Sequence, residues 1–72
     1  MKKNNKAQGI RWSDATSRLV SIDCYSEETL SEIAKFCELR HRWGNGITYL
    51  VNKDEDFDKS VEKIKELLGV GT

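Results

Sequence analysis

Residues 26–43 read SEETLSEIAKFCELRHRW, and the secondary structure assigned to this stretch sets the order of the elements around it. Ser26 offers a side-chain oxygen as an N-cap, and Glu27 and Glu28 place negative charge in a first helical turn. The residues that then recur at helical spacing are Leu30, Ile33, Ala34, Cys37 and His41. The pattern therefore predicts one amphipathic helix, ended by glycine in residues 44–46.

Strand patterns flank this predicted helix on both sides. Residues 9–13 and 19–25 alternate apolar with polar side chains around the turn-forming residues 14–17, which indicates a β-hairpin. Residues 47–51, ITYLV, are typical of a third strand. The acidic residues 54–56 then begin a second helix that ends at a Gly69 C-cap, and its apolar stripe comprises Phe57, Val61, Ile64 and Leu68.

The order ββαβα predicts a small two-layer α+β domain. Its sheet would be three-stranded and mixed, because a strand, a helix and a further strand form a parallel pair, and both helices would pack on one face. A chain of 72 residues suits one hydrophobic core, which we assign to residues 9–72. Residues 1–8 contain three lysines and offer no apolar position for docking, so they are predicted to form a flexible basic tail. We recognise no internal repeat.

Composition restricts the classes of partner. Twelve basic and twelve acidic residues cancel, so no overall field draws the chain to nucleic acid or to a membrane surface. The sequence has neither a signal-peptide pattern nor an apolar run of membrane-spanning length. With only two cysteines and no dense cysteine framework, we expect free thiols and a cytoplasmic location.

The predicted topology gathers basic and aromatic residues at one edge of the sheet. Acids at helix starts and bases at helix ends each stabilise by about 0.3–1 kcal/mol through the helix dipole, so the charges alone do not establish a site. The tryptophans are the additional signal: Trp12 shares the inward strand face with Ile10 and is expected in the core, whereas Trp43 is left open between core and surface. The predicted binding residues are Arg11, Arg18, Arg40, His41, Arg42 and Trp43.

The sheet face without helices is a second candidate surface. It would present Leu19, Tyr25 and Leu50 among polar side chains, as a face for a partner or a second copy. Scattered apolar residues are also ordinary on protein surfaces. The predicted face lacks the paired aromatics with which RNA-recognition sheets stack bases.

Cys24, Cys37 and His41 together suggest a metal site or thiol chemistry. On the predicted helix, Cys37 lies about ten residues from the helix start, or about 15 Å, which is too far from Cys24 for shared ligation. The arginines beside His41 oppose its protonation as a general base. We therefore expect no catalytic residue, metal or cofactor, and no enzymatic activity.

Two functional hypotheses follow. The first is a protein-binding module, such as a small regulator or inhibitor of a larger protein. The sequence leaves open whether the domain also forms a homodimer through a sheet edge. The alternative is a nucleic-acid-binding protein, in which Arg18, Arg40, Arg42 and Trp43 contact phosphates and an unstacked base, assisted by the lysines of the tail.

Overall fold

The fold consists of four strands and two helices in the order ββαββα over residues 8–44 and 46–69, the part of the chain that the computed structural model describes. All strand pairs are antiparallel, in the order β1-β2-β4-β3. The strands are β1 (Gly9–Asp14), β2 (Leu19–Asp23), β3 (Cys37–Trp43) and β4 (Gly46–Val51), and the helices are α1 (Glu27–Ile33) and α2 (Phe57–Leu68). The predicted α+β class is correct, but the three-stranded mixed sheet is wrong.

The first helix is much shorter than predicted. Ser26 is the N-cap as expected, since its Oγ accepts a hydrogen bond from the backbone N–H of Thr29 at 3.2 Å. The helix ends at Ile33, and the chain turns through residues 34–36 into β3. The residues from Cys37 to Trp43 therefore form a strand and not the second half of a helix, so the predicted order ββαβα is corrected to ββαββα.

Tertiary pairing explains this difference. Glu38, Leu39 and Arg40 are good helix formers, but intrinsic preferences differ by only tenths of a kcal/mol per residue. As a strand, the same segment hydrogen-bonds to β4, whose residues are almost all buried. Because β4 lies in the interior of the sheet, both of its backbone edges need partners, and β3 supplies the second one.

Both helices pack on one face of the sheet and enclose a single core. The predicted stripe of α2 is confirmed, with Val61, Ile64 and Leu68 buried and Phe57 packed against the core. Gly69 ends α2 in the left-handed region at φ 82°, where glycine is favoured. The strands contribute to this core Val20, Ile22, Ile47, Tyr49 and Val51, together with the cysteines that adjoin β2 and begin β3.

The fold contains two similar ββα halves, although no repeat is recognisable in the sequence. The β1–β2–α1 unit and the β3–β4–α2 unit meet along the β2–β4 ladder, whose central pair is Ser21 and Thr48. Each edge strand has a bulge at the same place in its ladder, at Arg11 in β1 and at Arg40 in β3. The two halves are thus related by an approximate twofold axis that passes between β2 and β4.

The predicted tail falls mostly outside the described residues. Gln8 is the one residue of that segment that the structure describes, and its side chain is bonded: Oε1 accepts from the backbone N–H of Tyr25 at 3.1 Å, and Nε2 donates to the carbonyl of Leu68 at 3.4 Å. No described helix is long and apolar enough to cross a membrane.

Arg18 holds the connection between β4 and α2. It is the only non-glycine residue in the described chain with a positive φ, at 60°, a conformation that is rare for such residues. Its Nε donates to the carbonyl of Val51 at 3.2 Å, and its Nη2 donates to the carbonyls of Asn52 and Glu55. Three carbonyls of one loop therefore converge on one guanidinium.

We predict that Arg18→Ala lowers the free energy of unfolding by about 1–2 kcal/mol, because the loop carbonyls lose a charged donor. Chemical denaturation followed by circular dichroism measures the change. Lys53→Ala in the same loop is the control, with an expected effect within about 0.5 kcal/mol. Equal losses in the two variants would contradict the structural role of Arg18.

Candidate functional site

The sheet face opposite the helices, here called the open face, carries most of the exposed aromatic surface. Cross-strand neighbours point to the same face, so the strand registers define rows of side chains across the sheet. The three open-face rows are Trp12–Ser21–Thr48–His41, Gly9–Asp23–Gly46–Trp43 and Asp14–Leu19–Leu50–Glu38. Both tryptophans of the chain thus lie on this face.

The bulge in β1 explains why Trp12 is exposed. The prediction placed Trp12 on the inward face with Ile10, two residues earlier in a regular strand. Ile10 does pair with Ile22 on the core side, but the ladder shifts at Arg11 and Trp12 pairs with Ser21. An extra residue in one strand reverses the face of the residues that follow it. Trp12 is consequently 46% exposed, which corrects its assignment to the core.

Trp43, His41 and Arg11 form a cluster above Gly46. The rings of His41 and Trp43 are 4.4 Å apart between centroids and are tilted by 50°. A Cβ atom on Gly46 would lie 2.8 Å from Nε1 of Trp43 and 3.4 Å from Nη1 of Arg11. The indole therefore reaches inward over β4, and only glycine leaves room for it. Trp43 remains 47% exposed, which resolves its predicted ambiguity in favour of the surface.

A buried hydroxyl lies in the middle of the open face. Ser21 is only 1% exposed although the helices are on the other side of the sheet, so open-face side chains cover it, and Trp12 is its cross-strand neighbour. Its Oγ has no hydrogen-bond partner among the described residues. A buried polar group without a partner costs about 1–3 kcal/mol, so this position is a local cost to stability.

The charges on the open face pair with one another. Nε of Arg11 donates to Oδ2 of Asp23 at 3.0 Å, and Nη1 of Arg40 lies 3.5 Å from Oε2 of Glu38. Asp14 accepts hydrogen bonds from the backbone N–H of residue 16 and from the hydroxyl of residue 17. Each of the two arginines thus has one carboxylate partner, and Asp14 bonds instead within its own turn.

The predicted basic edge divides into three parts. Arg11, His41 and Trp43 form the cluster over Gly46, and Arg40 lies at the bulge of β3, where it pairs with Glu38. Arg18 lies at the opposite end of the sheet, where it binds the loop before α2. Arg42 points to the helix side and donates to Oε2 of Glu27 at 2.9 Å, an interaction that raises the pKa of the guanidinium.

The second predicted surface overlaps with the open face. Leu19 and Leu50 are cross-strand neighbours there, as expected from strand alternation. Tyr25 lies beyond the end of β2 and is half-buried. The aromatic character of this face was not predicted, because a bulge in β1 and a strand within the predicted helix determine it. The sequence signal for this aromatic surface is an arginine followed directly by an aromatic residue, which occurs in both edge strands.

The cysteines and His41 do not form a reactive group. Cys37 faces the helices and is buried, whereas His41 is on the open face. The prediction that both lie on one side of a helix is therefore wrong. Cys24 and Cys37 lie near opposite ends of the sheet, about 20 Å apart along the strands at about 3.3 Å per residue. Both are free thiols, and no cluster of three potential metal ligands occurs among the described residues.

Alkaline pH provides a test of the burial of Cys37. Desolvation, assisted by the charge of Glu55, raises the pKa of this thiol from its ordinary 9.0 to about 11. The native state therefore keeps the proton while the unfolded chain loses it, so stability falls as pH rises from about 9 to about 11. We predict that Cys37→Ala reduces the slope of this fall, as measured by denaturation at several pH values. An unchanged slope would contradict the assignment.

Gly46→Ala tests the position of the Trp43 ring. We predict that the new methyl group displaces the indole, while the free energy of unfolding changes by less than about 1 kcal/mol because the ring can turn towards solvent. Fluorescence in a Trp12→Phe background reports on Trp43 alone, and a red shift is expected. Leu39→Ala, on the other face of β3, is the control. Identical emission with alanine or glycine at position 46 would show that the ring does not lie there.

Comparison with known proteins identifies no relative: no family model, no curated protein and no solved structure matches this chain.

Proposed function

We propose that this protein is a non-enzymatic binding module that recognises a larger protein through the open face and acts as a regulator or inhibitor of it. The observation that carries the proposal is the pair of tryptophans, 46% and 47% exposed on one sheet face. Tryptophan and arginine are enriched among the residues that dominate protein–protein binding energies. The free thiols favour a reducing compartment, so we propose a cytoplasmic location.

The arrangement of side chains supports a protein partner. Trp12, Trp43 and the leucine pair Leu19 and Leu50 supply apolar contact area across the three rows. Ion pairs between Arg11 and Asp23 and between Arg40 and Glu38 adjoin them. An apolar aromatic centre beside polar, solvent-accessible groups is the usual anatomy of a protein interface.

The charge of this face disfavours nucleic acid as the partner. The exposed aromatics could stack on bases, which removes one objection to the alternative hypothesis. However, affinity for nucleic acid depends mainly on cations that neutralise phosphates. Both arginines on the open face already pair with carboxylates, and Asp14 adds a further negative charge. A phosphate backbone would therefore have to displace existing ion pairs.

The edges of the sheet disfavour self-association by strand pairing. β1 and β3 are the edge strands, and each carries a bulge at an arginine. Bulges and charged side chains on edge strands oppose pairing with a second chain. The open face is therefore a better candidate for a heterologous partner than either edge is for a second copy.

The test is affinity capture from a nuclease-treated lysate, followed by measurement of binding to the purified candidate. We predict that a stoichiometric protein partner is recovered and that combined Trp12→Ala and Trp43→Ala weaken its binding by at least about 30-fold, since a dominant interface residue contributes about 2 kcal/mol or more.

Leu39→Ala is the matched control for this experiment. Leu39 is 52% exposed on the helix side of β3, so its truncation removes a similar exposed apolar group from a different surface. Equal weakening by Leu39→Ala and by the tryptophan variant would overturn the assignment of the face. Retention of oligonucleotide instead of protein, with affinity that falls steeply from about 50 to about 200 mM salt, would favour the nucleic-acid alternative.

A further inference from the structure

We propose that the groove between α1 and the edge strand β3 binds a free apolar amino acid. The groove lies on the helix side of the sheet, so this site is separate from the open face and goes beyond the proposed function. Three features of the described residues support it: a small apolar lining, an exposed ion pair with unused hydrogen-bonding groups, and a tyrosine hydroxyl without a partner.

The apolar lining of the groove suits a small aliphatic side chain. It is formed by Leu30, Ala34, Leu39 and Ile47. Leu39 is 52% exposed although it is on the helix side of β3, so the described residues leave this apolar surface largely uncovered. The groove has a volume of about 210 Å³, which is less than the roughly 300–1,000 Å³ of pockets for drug-sized ligands. A ligand that fills it is therefore small and has an apolar group.

An ion pair between Glu27 and Arg42 lines the same groove. Nη2 of Arg42 donates to Oε2 of Glu27 at 2.9 Å, and the two side chains are 43% and 74% exposed, respectively. This one bond leaves Oε1 of Glu27 and the Nε and Nη1 groups of Arg42 without a partner among the described residues. A spare acceptor and spare donors of opposite charge therefore lie next to each other in the groove.

This pair selects for a ligand that carries both charges. A carboxylate alone would bind Arg42 but would meet the negative charge of Glu27, and an ammonium group alone would meet the positive charge of Arg42. An α-amino acid has both groups on the same carbon atom, so each can bind its opposite partner while the ion pair remains. Hydrogen bonds between charged groups are also stronger than those between neutral ones. Leucine combines this zwitterion with an aliphatic side chain for the lining.

The hydroxyl of Tyr49 adds a further polar group. Tyr49 lines the groove and is only 3% exposed, yet its hydroxyl has no hydrogen-bond partner among the described residues. In that part of the chain only the Oγ of Ser21 is both enclosed and unpartnered, so the Tyr49 hydroxyl keeps access to solvent. Burial raises the pKa of this hydroxyl, and smaller effects of Arg42, which lowers the pKa, and of Glu27, which raises it, indicate that the ion pair is near. A zwitterion held by the pair can therefore also bind this hydroxyl.

Titration of L-leucine into the full, ¹⁵N-labelled chain tests this inference. We expect saturable changes in the amide NMR shifts of residues 39, 42 and 47, with a Kd below about 10 mM, and no such change at Trp12 on the open face. Two matched compounds each lack one charge: 4-methylpentanoate lacks the ammonium group and 3-methylbutylamine lacks the carboxylate. Both are expected to bind at least about tenfold more weakly. Glycine, which lacks the aliphatic side chain, is expected to give no saturable change.

Three variants locate the site. We expect Arg42→Ala to weaken leucine binding at least about tenfold, and Tyr49→Phe at least about threefold, because each removes a donor to the ligand. Tyr49→Phe is expected to unfold thermally as the unaltered chain does, since the hydroxyl has no described partner to lose. Lys65→Ala is the control: its side chain is 44% exposed and forms an exposed ion pair with Glu62, outside the groove, so leucine binding should not change.

The inference would be overturned by absence of saturable binding, by 4-methylpentanoate or 3-methylbutylamine binding as tightly as leucine, or by equal affinity in the unaltered chain and Arg42→Ala. Thermal unfolding of each variant distinguishes loss of binding from loss of the fold. None of these results affects the proposed function, which depends on the captured partner and on the two tryptophans of the open face.

Discussion

The antiparallel pairing of β2 with β4 is the interaction on which the rest of the structure depends. These two strands are the interior of the sheet, and their inward side chains, Val20, Ile22, Ile47 and Tyr49, form the floor of the core. Their pairing leaves one backbone edge of each strand without partners, and β1 and β3 occupy those edges. The need to satisfy the second edge of β4 accounts for the conversion of a helix-favouring segment into a strand.

The two bulges determine which side chains of the edge strands lie on the open face. Each bulge adds one residue to an edge strand, so that Trp12 and His41 lie on the open face beside Ser21 and Thr48. The same geometry lets the Arg11 side chain reach Asp23 and the edge of Gly46. Because the bulges occur at equivalent places in two ββα halves, the open face has an approximate twofold arrangement, with an arginine followed by an aromatic ring in each edge strand.

The open face combines paired charges with exposed indole rings. Carboxylates and guanidinium groups neutralise each other in exposed pairs that contribute little to stability, about 0–1 kcal/mol each. Both indole rings remain about half exposed on this face, whereas the Ser21 hydroxyl is buried among the open-face side chains.

Local signals in the sequence were sufficient for the helix start at Ser26, for the start of α2 to within two residues, and for the glycine end of α2 and its apolar stripe, because caps and periodicity act within a few residues. The alternation in β2 also placed Leu19 on the open face correctly. Only the tertiary structure decided that residues 37–43 form a strand, that Trp12 faces outward, and that Arg18 and Arg42 leave the predicted basic edge. Each of these depends on pairing with a distant segment, and the free energy of such pairing exceeds the small local preferences that the sequence displays.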